Sequence, residues 1–170
     1  MTFKTYTIKL KKALSIVITL ILLGSTGFAP KSDYQKVDTN AKIKAVFIYN
    51  FTKYIEWPAE DKVGEFKIGI LGENPPLFNE LDKMSKVKKV SNRSFSIKSF
   101  SSLSDIGQPH ILYIPVDSTE LLKEAVKRLS GKSTLIVTEK PGMALQGSAI
   151  NFVIVGSRQK FELNKSNVSK

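Results

Sequence analysis

A long amphipathic helix near the start of the chain constrains the fold more than any other segment. In residues 41–58, AKIKAVFIYNFTKYIEWP, apolar side chains recur at spacings of three and four, the repeat of one helix face. Polar residues 38–40 can cap its free N–H groups, and Pro58 ends it because it disfavours helical backbone at Trp57. A face this broad needs a sheet or a second helix to cover it. The predicted stripe consists of Ile43, Val46, Phe47, Ile48, Phe51, Tyr54 and Ile55, with Asn50 as its one polar member.

Short apolar segments alternate with helical patterns along the rest of the chain. This alternation is typical of an α/β fold with a parallel sheet. We therefore predict a single-domain α/β sandwich with a mainly parallel sheet, a C-terminal antiparallel hairpin and the long N-terminal helix packed on the sheet. The predicted strands are residues 66–71, 94–100, 110–115 and 134–138, followed by a hairpin of residues 149–155 and 160–163. The predicted helices are residues 77–84 and a helix that Ser118 caps and Gly131 ends.

Residues 1–29 have the pattern of a secretory signal peptide. Four lysines precede the apolar core ALSIVITLILL, and small residues follow it. This core is shorter than the roughly 17–25 residues that span a bilayer. We therefore predict a signal peptide in residues 1–29, a linker in residues 30–38 and one α/β domain in residues 39–170, exported to the periplasm. An uncleaved membrane anchor is the alternative, and it also places the domain outside the cytoplasm.

Charge and cysteine content exclude several classes of site. The chain has 26 basic and 15 acidic residues, but the basic ones are mostly scattered lysines rather than an arginine-rich stripe. This distribution favours a solvated surface over a nucleic-acid site. The absence of cysteine excludes disulfides and thiolate metal sites. Because no compact acidic cluster has the spacing of metal ligands, we predict no metal and no cofactor.

No residue pattern indicates catalysis. His110 is the only histidine and leads into an apolar strand, which is typical of a hydrogen-bonded structural residue. Glu60 and Asp61 are adjacent, so their side chains diverge and do not form an acid/base pair. No serine lies in a G-x-S-x-G motif, and Gly69 and Gly72 match no phosphate-binding motif. We predict that the protein is not an enzyme.

Two segments contain candidate binding residues. Trp57 is either an exposed interface anchor or a lid on the core. Residues 141–147 form a turn-rich loop in which Gly147 permits a turn or bulge before the next strand. Asn151 in that strand bonds either to a loop or to a ligand. The predicted binding residues are Trp57, Gly142, Gln146, Gly147 and Asn151.

The segments, taken in order, resemble the YfiR/HmsC-like periplasmic proteins. The resemblance covers about residues 41–164, through AVFIYNFTKYIEWP, FKIGILGENP, HILYIP, LIVTEKPGMALQGSAINFV and KFELN. It implies a non-enzymatic periplasmic α/β domain that often dimerises. The best-known member represses an inner-membrane diguanylate cyclase and so lowers cyclic-di-GMP output and biofilm formation, whereas other members occur without that cyclase.

The chain also departs from the family pattern. Gly69 and Pro109 stand where better-known members carry cysteines, so the resemblance implies no disulfide-based redox control here. Gln146 precedes Gly147 where members commonly have two glycines. Members usually continue past the FELN strand into a C-terminal helix, whereas only residues 165–170 follow it here. An uncovered edge strand is an association site.

Together these observations predict an exported regulatory domain that acts by protein–protein contact. Its expected partner is a membrane-bound sensor or signalling protein, such as a diguanylate cyclase, with a homodimer as a further expectation and no nucleic-acid partner. The alternative is a periplasmic small-ligand-binding protein. Its pocket would lie at the carboxyl ends of the strands, where the turn at residues 72–75 faces that edge.

Overall fold

One six-stranded sheet organises residues 38–168, the part of the chain that the computed structural model describes. The strand order is β2-β1-β3-β4-β5-β6, with β1 to β5 parallel and β6 antiparallel to β5. The predicted α/β class, with its C-terminal hairpin and its N-terminal helix on the sheet, is confirmed. The strands are β1 Phe66–Leu71, β2 Phe95–Phe100, β3 Ile111–Ile114, β4 Leu135–Thr138, β5 Ile150–Val155 and β6 Arg158–Leu163. The α-helices are α1 Thr39–Tyr54, α2 Pro75–Ser85, α3 Leu122–Arg128 and the short α4 Lys165–Val168.

Helix α1 begins at a side-chain cap and ends earlier than predicted. The Asp38 carboxylate accepts hydrogen bonds from the backbone N–H groups of Asn40 and Ala41, at 3.0 and 3.1 Å. Ile55 already has extended backbone, so the helix stops before Trp57. Its buried residues are Ala41, Ala45, Ile48, Phe51 and Thr52.

The predicted stripe of α1 was wrong at its rim. Ile43 is 37% exposed, Val46 45% and Tyr54 84%. The buried side instead carries Ala41 and Ala45, whose small side chains allow close approach of the helix. Larger neighbours reach the sheet from the flank of the helix, as the contact between Phe47 and Phe152 shows.

Two apolar cores lie on opposite faces of the sheet, because successive strand side chains alternate between the faces. On the α1 face, strand residues such as Phe66 and Ile68 pack with α1, α2 and Trp57. On the α3 face, Leu112 and Ile136 pack with α3 and with the loops beside it.

Two local predictions need correction. Ser118 does not cap a helix through its side chain, because a 3-10 helix, Val116–Leu121, precedes α3. The hairpin turns through Gly156 and Ser157 alone rather than through residues 156–159, and Gly156 has a positive φ of 64°.

The predicted signal peptide and nearly all of the linker lie outside the described residues. Within residues 38–168, no helix has the length and apolar character needed to cross a membrane.

Candidate functional site

Trp57 lies in the core of the α1 face. Its side chain is 6% exposed, and its indole Nε1–H donates to the Ser133 carbonyl oxygen at 3.0 Å. Its ring meets the Phe66 ring edge-on, with the centroids 5.0 Å apart. This geometry fits the interpretation of Trp57 as a lid on the core rather than as an exposed anchor.

His110 is held by two backbone groups. Its ring stacks on Phe66 at 4.3 Å between centroids, and its Nδ1 accepts a hydrogen bond from the Lys67 N–H at 3.0 Å. Because Nδ1 accepts, the ring proton lies on Nε2, which donates to the Asp61 carbonyl oxygen at 2.9 Å. Burial lowers the pKa of His110, with a smaller opposing effect from the Asp61 hydrogen bond. The residue therefore serves the structure, as the sequence indicated.

Asn151 belongs to a buried polar network on the α3 face. Thr138 Oγ1 lies 2.9 Å from Ser148 Oγ and 2.8 Å from Asn151 Oδ1, and all three residues are fully buried. A hydroxyl has one hydrogen, so Thr138 donates to Asn151 and accepts from Ser148. The Asn151 amide donates to Glu162 on β6 at 3.1 Å. Asn151 thus joins β4, the preceding loop and the hairpin.

The loop of residues 142–147 is anchored on the α3 face. It contains a 3-10 helix, Met143–Gln146, flanked by Gly142 at φ 83° and Gly147 at φ 119°. Met143 is buried in the α3-face core, whereas Leu145 is 90% exposed. Gly142 and Gln146 are exposed as well.

The structure does not gather the five predicted binding residues into one site. Gly142, Gln146, Gly147 and Asn151 lie around the start of β5, connected through the Ser148 network. Trp57 lies on the opposite face of the sheet.

Protein side chains occupy the carboxyl ends of the strands, where the sequence placed a ligand pocket. Lys44 forms an ion pair with Glu139, and their side chains are only 18% and 11% exposed. Burial, and then the adjacent Glu139 carboxylate, raise the pKa of Tyr113 far above its ordinary value. At the turn after β1, a Cβ on Gly72 would lie 2.6 Å from Ser118 Oγ, so Ser118 fills that corner.

An apolar surface flanks α1 on the side of the edge strand. The rings of Phe47 and Phe51 lie 5.6 and 5.2 Å from the ring of Phe161 on β6. Ile43 lies one turn before Phe47 on the same flank of the helix. Within residues 38–168, strand β6 pairs only with β5, so its outer backbone groups have no strand partner in the described part of the chain. We call the following set the apolar edge surface: Ile43 (37% exposed), the half-buried Phe47, Ile154 (66%), Phe161 (41%) and Leu163 (50%).

A family model described as YfiR/HmsC-like matches residues 41–170, most of the chain. The protein belongs to the YfiR/HmsC-like family. Its members are periplasmic regulators of signalling, and the family is regulatory rather than catalytic. A search of curated proteins found no match.

This YfiR/HmsC-like chain has a packing reason for glycine at position 69, where better-known members carry cysteine. A Cβ on Gly69 would lie 2.9 Å from Phe100 Cε2 and 3.3 Å from Leu112 Cδ1. The Phe100 ring therefore takes the space that a side chain at position 69 would need. Among residues 38–168, no group of three or more His, Cys, Asp or Glu side chains is arranged to hold a metal ion.

The predicted binding residues include the loop around Leu145 but neither Leu145 by name nor Phe161, and the structure leaves both side chains exposed. Leu145 lies in a loop bounded by glycines, where an apolar side chain has little local cover. Phe161 alternates with Lys160 and Glu162 in a terminal hairpin, a position typical of an edge strand. Both signals were present in the sequence.

Proposed function

We propose that this YfiR/HmsC-like protein is an exported, non-enzymatic domain that regulates a membrane-bound signalling protein, such as a diguanylate cyclase, by direct contact in the periplasm. Membership of a family of periplasmic signalling regulators supports the regulatory role. The observation that carries direct contact is the apolar edge surface beside the open strand β6.

This surface has the properties of a protein-binding site. Contiguous exposed apolar patches on soluble domains mark interaction sites, and aromatic residues are enriched at interface centres. Phe161 supplies a half-exposed aromatic ring, with Ile154 and Leu163 at neighbouring positions of the same face. The open edge of β6 adds backbone donors and acceptors, so an extended partner segment with alternating apolar side chains fits it.

Regulation by such contact is a population shift. A partner whose inactive state binds this surface better is held inactive while the domain is bound. A signal that removes the domain releases the partner's output.

The loop of residues 142–147 is a second proposed contact, through Gly142, Gln146 and the exposed Leu145. Gly147 supports it by allowing the turn that follows. Trp57 is 6% exposed and Asn151 is fully buried, so neither offers a protein partner much contact area. Asn151 supports the surface indirectly, through its hydrogen bond to Glu162 on β6.

Self-association through the same edge is also proposed. An antiparallel pairing of two β6 strands centred on Phe161 sets Lys160 opposite the partner's Glu162, twice by symmetry. The two Phe161 rings then meet on the α1 face.

The decisive experiment compares capture by matched variants. Tagged mature domain is used as bait on periplasm and solubilised inner membrane, and affinity for the purified periplasmic domain of each enriched membrane protein is then measured. Phe161→Glu places a charge in the apolar edge surface. The control, Val87→Glu, places the same charge on an apolar residue outside that surface, which is 81% exposed. Melting temperatures establish that both variants fold.

The expected result is one membrane signalling protein that binds the parent domain and Val87→Glu alike, with affinity reduced about tenfold or more by Phe161→Glu. Equal affinity of all three proteins would remove this surface from the proposal. Absence of any binding signalling protein would count against the regulatory function itself.

A further inference from the structure

A basic cleft of about 650 Å³ opens at the amino ends of β1 and β2. It lies between the end of α1, the start of β1 and the turn that precedes β2. Tyr49 marks this flank of α1, since its hydroxyl donates to the Lys89 carbonyl oxygen at 2.9 Å. The apolar edge surface lies on the other flank. The charged residues lining the cleft are Lys53, Lys62, Lys89, Arg93 and Glu56.

The cleft has an excess of positive charge. Glu56 pairs with Lys62 at 3.0 Å, so these two charges offset each other. No carboxylate within residues 38–168 forms an ion pair with Lys53, Lys89 or Arg93. Three cations around one concavity repel one another and attract an anion from solution.

Arg93 is fixed in place, and a buried donor of its side chain is unpaired in the described part of the chain. Its Nη1 donates to the Asp61 carbonyl oxygen at 2.8 Å, and its guanidinium lies 5.6 Å from the centroid of the Phe66 ring. Its Nε is buried and has no hydrogen-bond partner within the described part of the chain. Buried donors are rarely left unpaired, so Arg93 keeps unused donor capacity beside the cleft that it lines.

A tight turn holds the backbone of two of these cations, Lys89 and Arg93, at the cleft. Val90 and Arg93 exchange two backbone hydrogen bonds of 2.9 Å, which closes a turn through Ser91 and Asn92. Both middle residues have positive φ, 48° and 67°, although neither is glycine. Positive φ is uncommon for residues other than glycine, and strained backbone of this kind clusters at functional sites. The turn holds Lys89 and Arg93 on either side of Ser91, and all three line the cleft.

We propose that this cleft binds a phosphate group, carried by a small soluble ligand or by a lipid headgroup. Arg93 supplies a preorganised guanidinium, and the exposed Lys53 and Lys89 supply ammonium groups. The inference does not depend on the proposed regulatory function, and the site is separate from the apolar edge surface.

The single tryptophan of the chain gives a direct readout, because Trp57 lines the cleft. Inorganic pyrophosphate is titrated at constant ionic strength while Trp57 fluorescence is recorded. The test variant is Lys53→Gln with Lys89→Gln, which removes two exposed charges without changing the core. The matched control is Lys42→Gln with Lys123→Gln, two exposed lysines outside the cleft. A second arm measures sedimentation with vesicles of phosphatidylcholine containing phosphatidylglycerol.

A soluble ligand is supported if the parent protein and the control bind pyrophosphate saturably and the test variant binds it about tenfold or more weakly. Vesicle binding without a pyrophosphate response, lost in the test variant alone, supports a headgroup. No response of the parent protein to either probe, or equal responses of the two double variants, would overturn the proposal.

Discussion

At the residue scale, the polar side chains that interrupt apolar segments mainly satisfy distant backbone groups. Trp57 donates to a carbonyl 76 positions away, and His110 accepts from an N–H 43 positions away. The sequence predicted the structural role of His110 from its place before a buried strand. It left Trp57 and Asn151 between structure and binding, because the partners of both come from other strands and loops that no local pattern connects to them.

His110 should make stability depend on pH. Burial lowers its pKa in the folded protein, so between about 6.5, the ordinary value, and the lowered folded value the unfolded chain binds more protons. The contribution of neutral His110 is therefore fully present above about pH 6.5 and is lost as the pH falls through the folded pKa. We expect the Cε1–H signal of this one histidine to titrate in NMR with a midpoint below 6.5.

A variant tests whether His110 causes the pH dependence of stability. His110→Asn keeps an acceptor near the Lys67 N–H but cannot gain a proton, so its melting temperature should fall less between pH 7 and pH 5. A midpoint at or above 6.5, or equal pH slopes for both proteins, would contradict this account of His110.

At the element scale, periodicity predicted that α1 exists and packs on the sheet, but not which side it buries. The alanines and the large apolar residues of α1 define two overlapping helix faces. Which of the two is buried depends on the packing against the sheet. The small residues Ala41 and Ala45 lie on the buried side of the helix, and the flank with Ile43 and Phe47 borders the hairpin. Of the exposed rim residues, Ile43 is thus part of the surface that we propose for partner binding.

The loop between β4 and β5 needs glycine at one position more than at another. Gly147 has φ 119°, and a Cβ there would lie 2.9 Å from Val126 Cγ2, whereas Gly142 has φ 83° and open space around it. We expect Gly142→Ala to cost about 1 kcal/mol and Gly147→Ala roughly 2–4 kcal/mol, measured by urea unfolding. Adding Val126→Ala should recover part of the Gly147→Ala loss beyond additivity. Equal losses for the two glycine variants would refute the steric argument.

At the scale of the whole molecule, the alternation of strands and helices predicted a mainly parallel sheet. It did not predict where the open cleft lies. Parallel α/β sheets commonly bind ligands at the carboxyl ends of their strands. Here Lys44, Glu139 and Ser118 occupy that end, and the cleft opens at the amino ends. The ion pair brings together two residues 95 positions apart, which the sequence alone does not connect.

The C-terminal hairpin makes self-association of the whole molecule testable. If two β6 strands pair around Phe161, Lys160 lies opposite the partner's Glu162, and reversing one charge sets like charges opposite each other. We expect sedimentation equilibrium to show a dimer for the parent protein. For Lys160→Glu the dimer should be weakened about twofold to thirtyfold, since exposed pairs contribute roughly 0.2–1 kcal/mol each and two are lost. Adding Glu162→Lys to Lys160→Glu restores opposite charges in this register, so the double variant should recover the dimer.

Glu162 also accepts a hydrogen bond from Asn151, so each variant is compared only after its melting temperature is known. A parent protein that stays monomeric at all concentrations, or a dimer that neither variant changes, would exclude this pairing and leave the edge of β6 to a different partner.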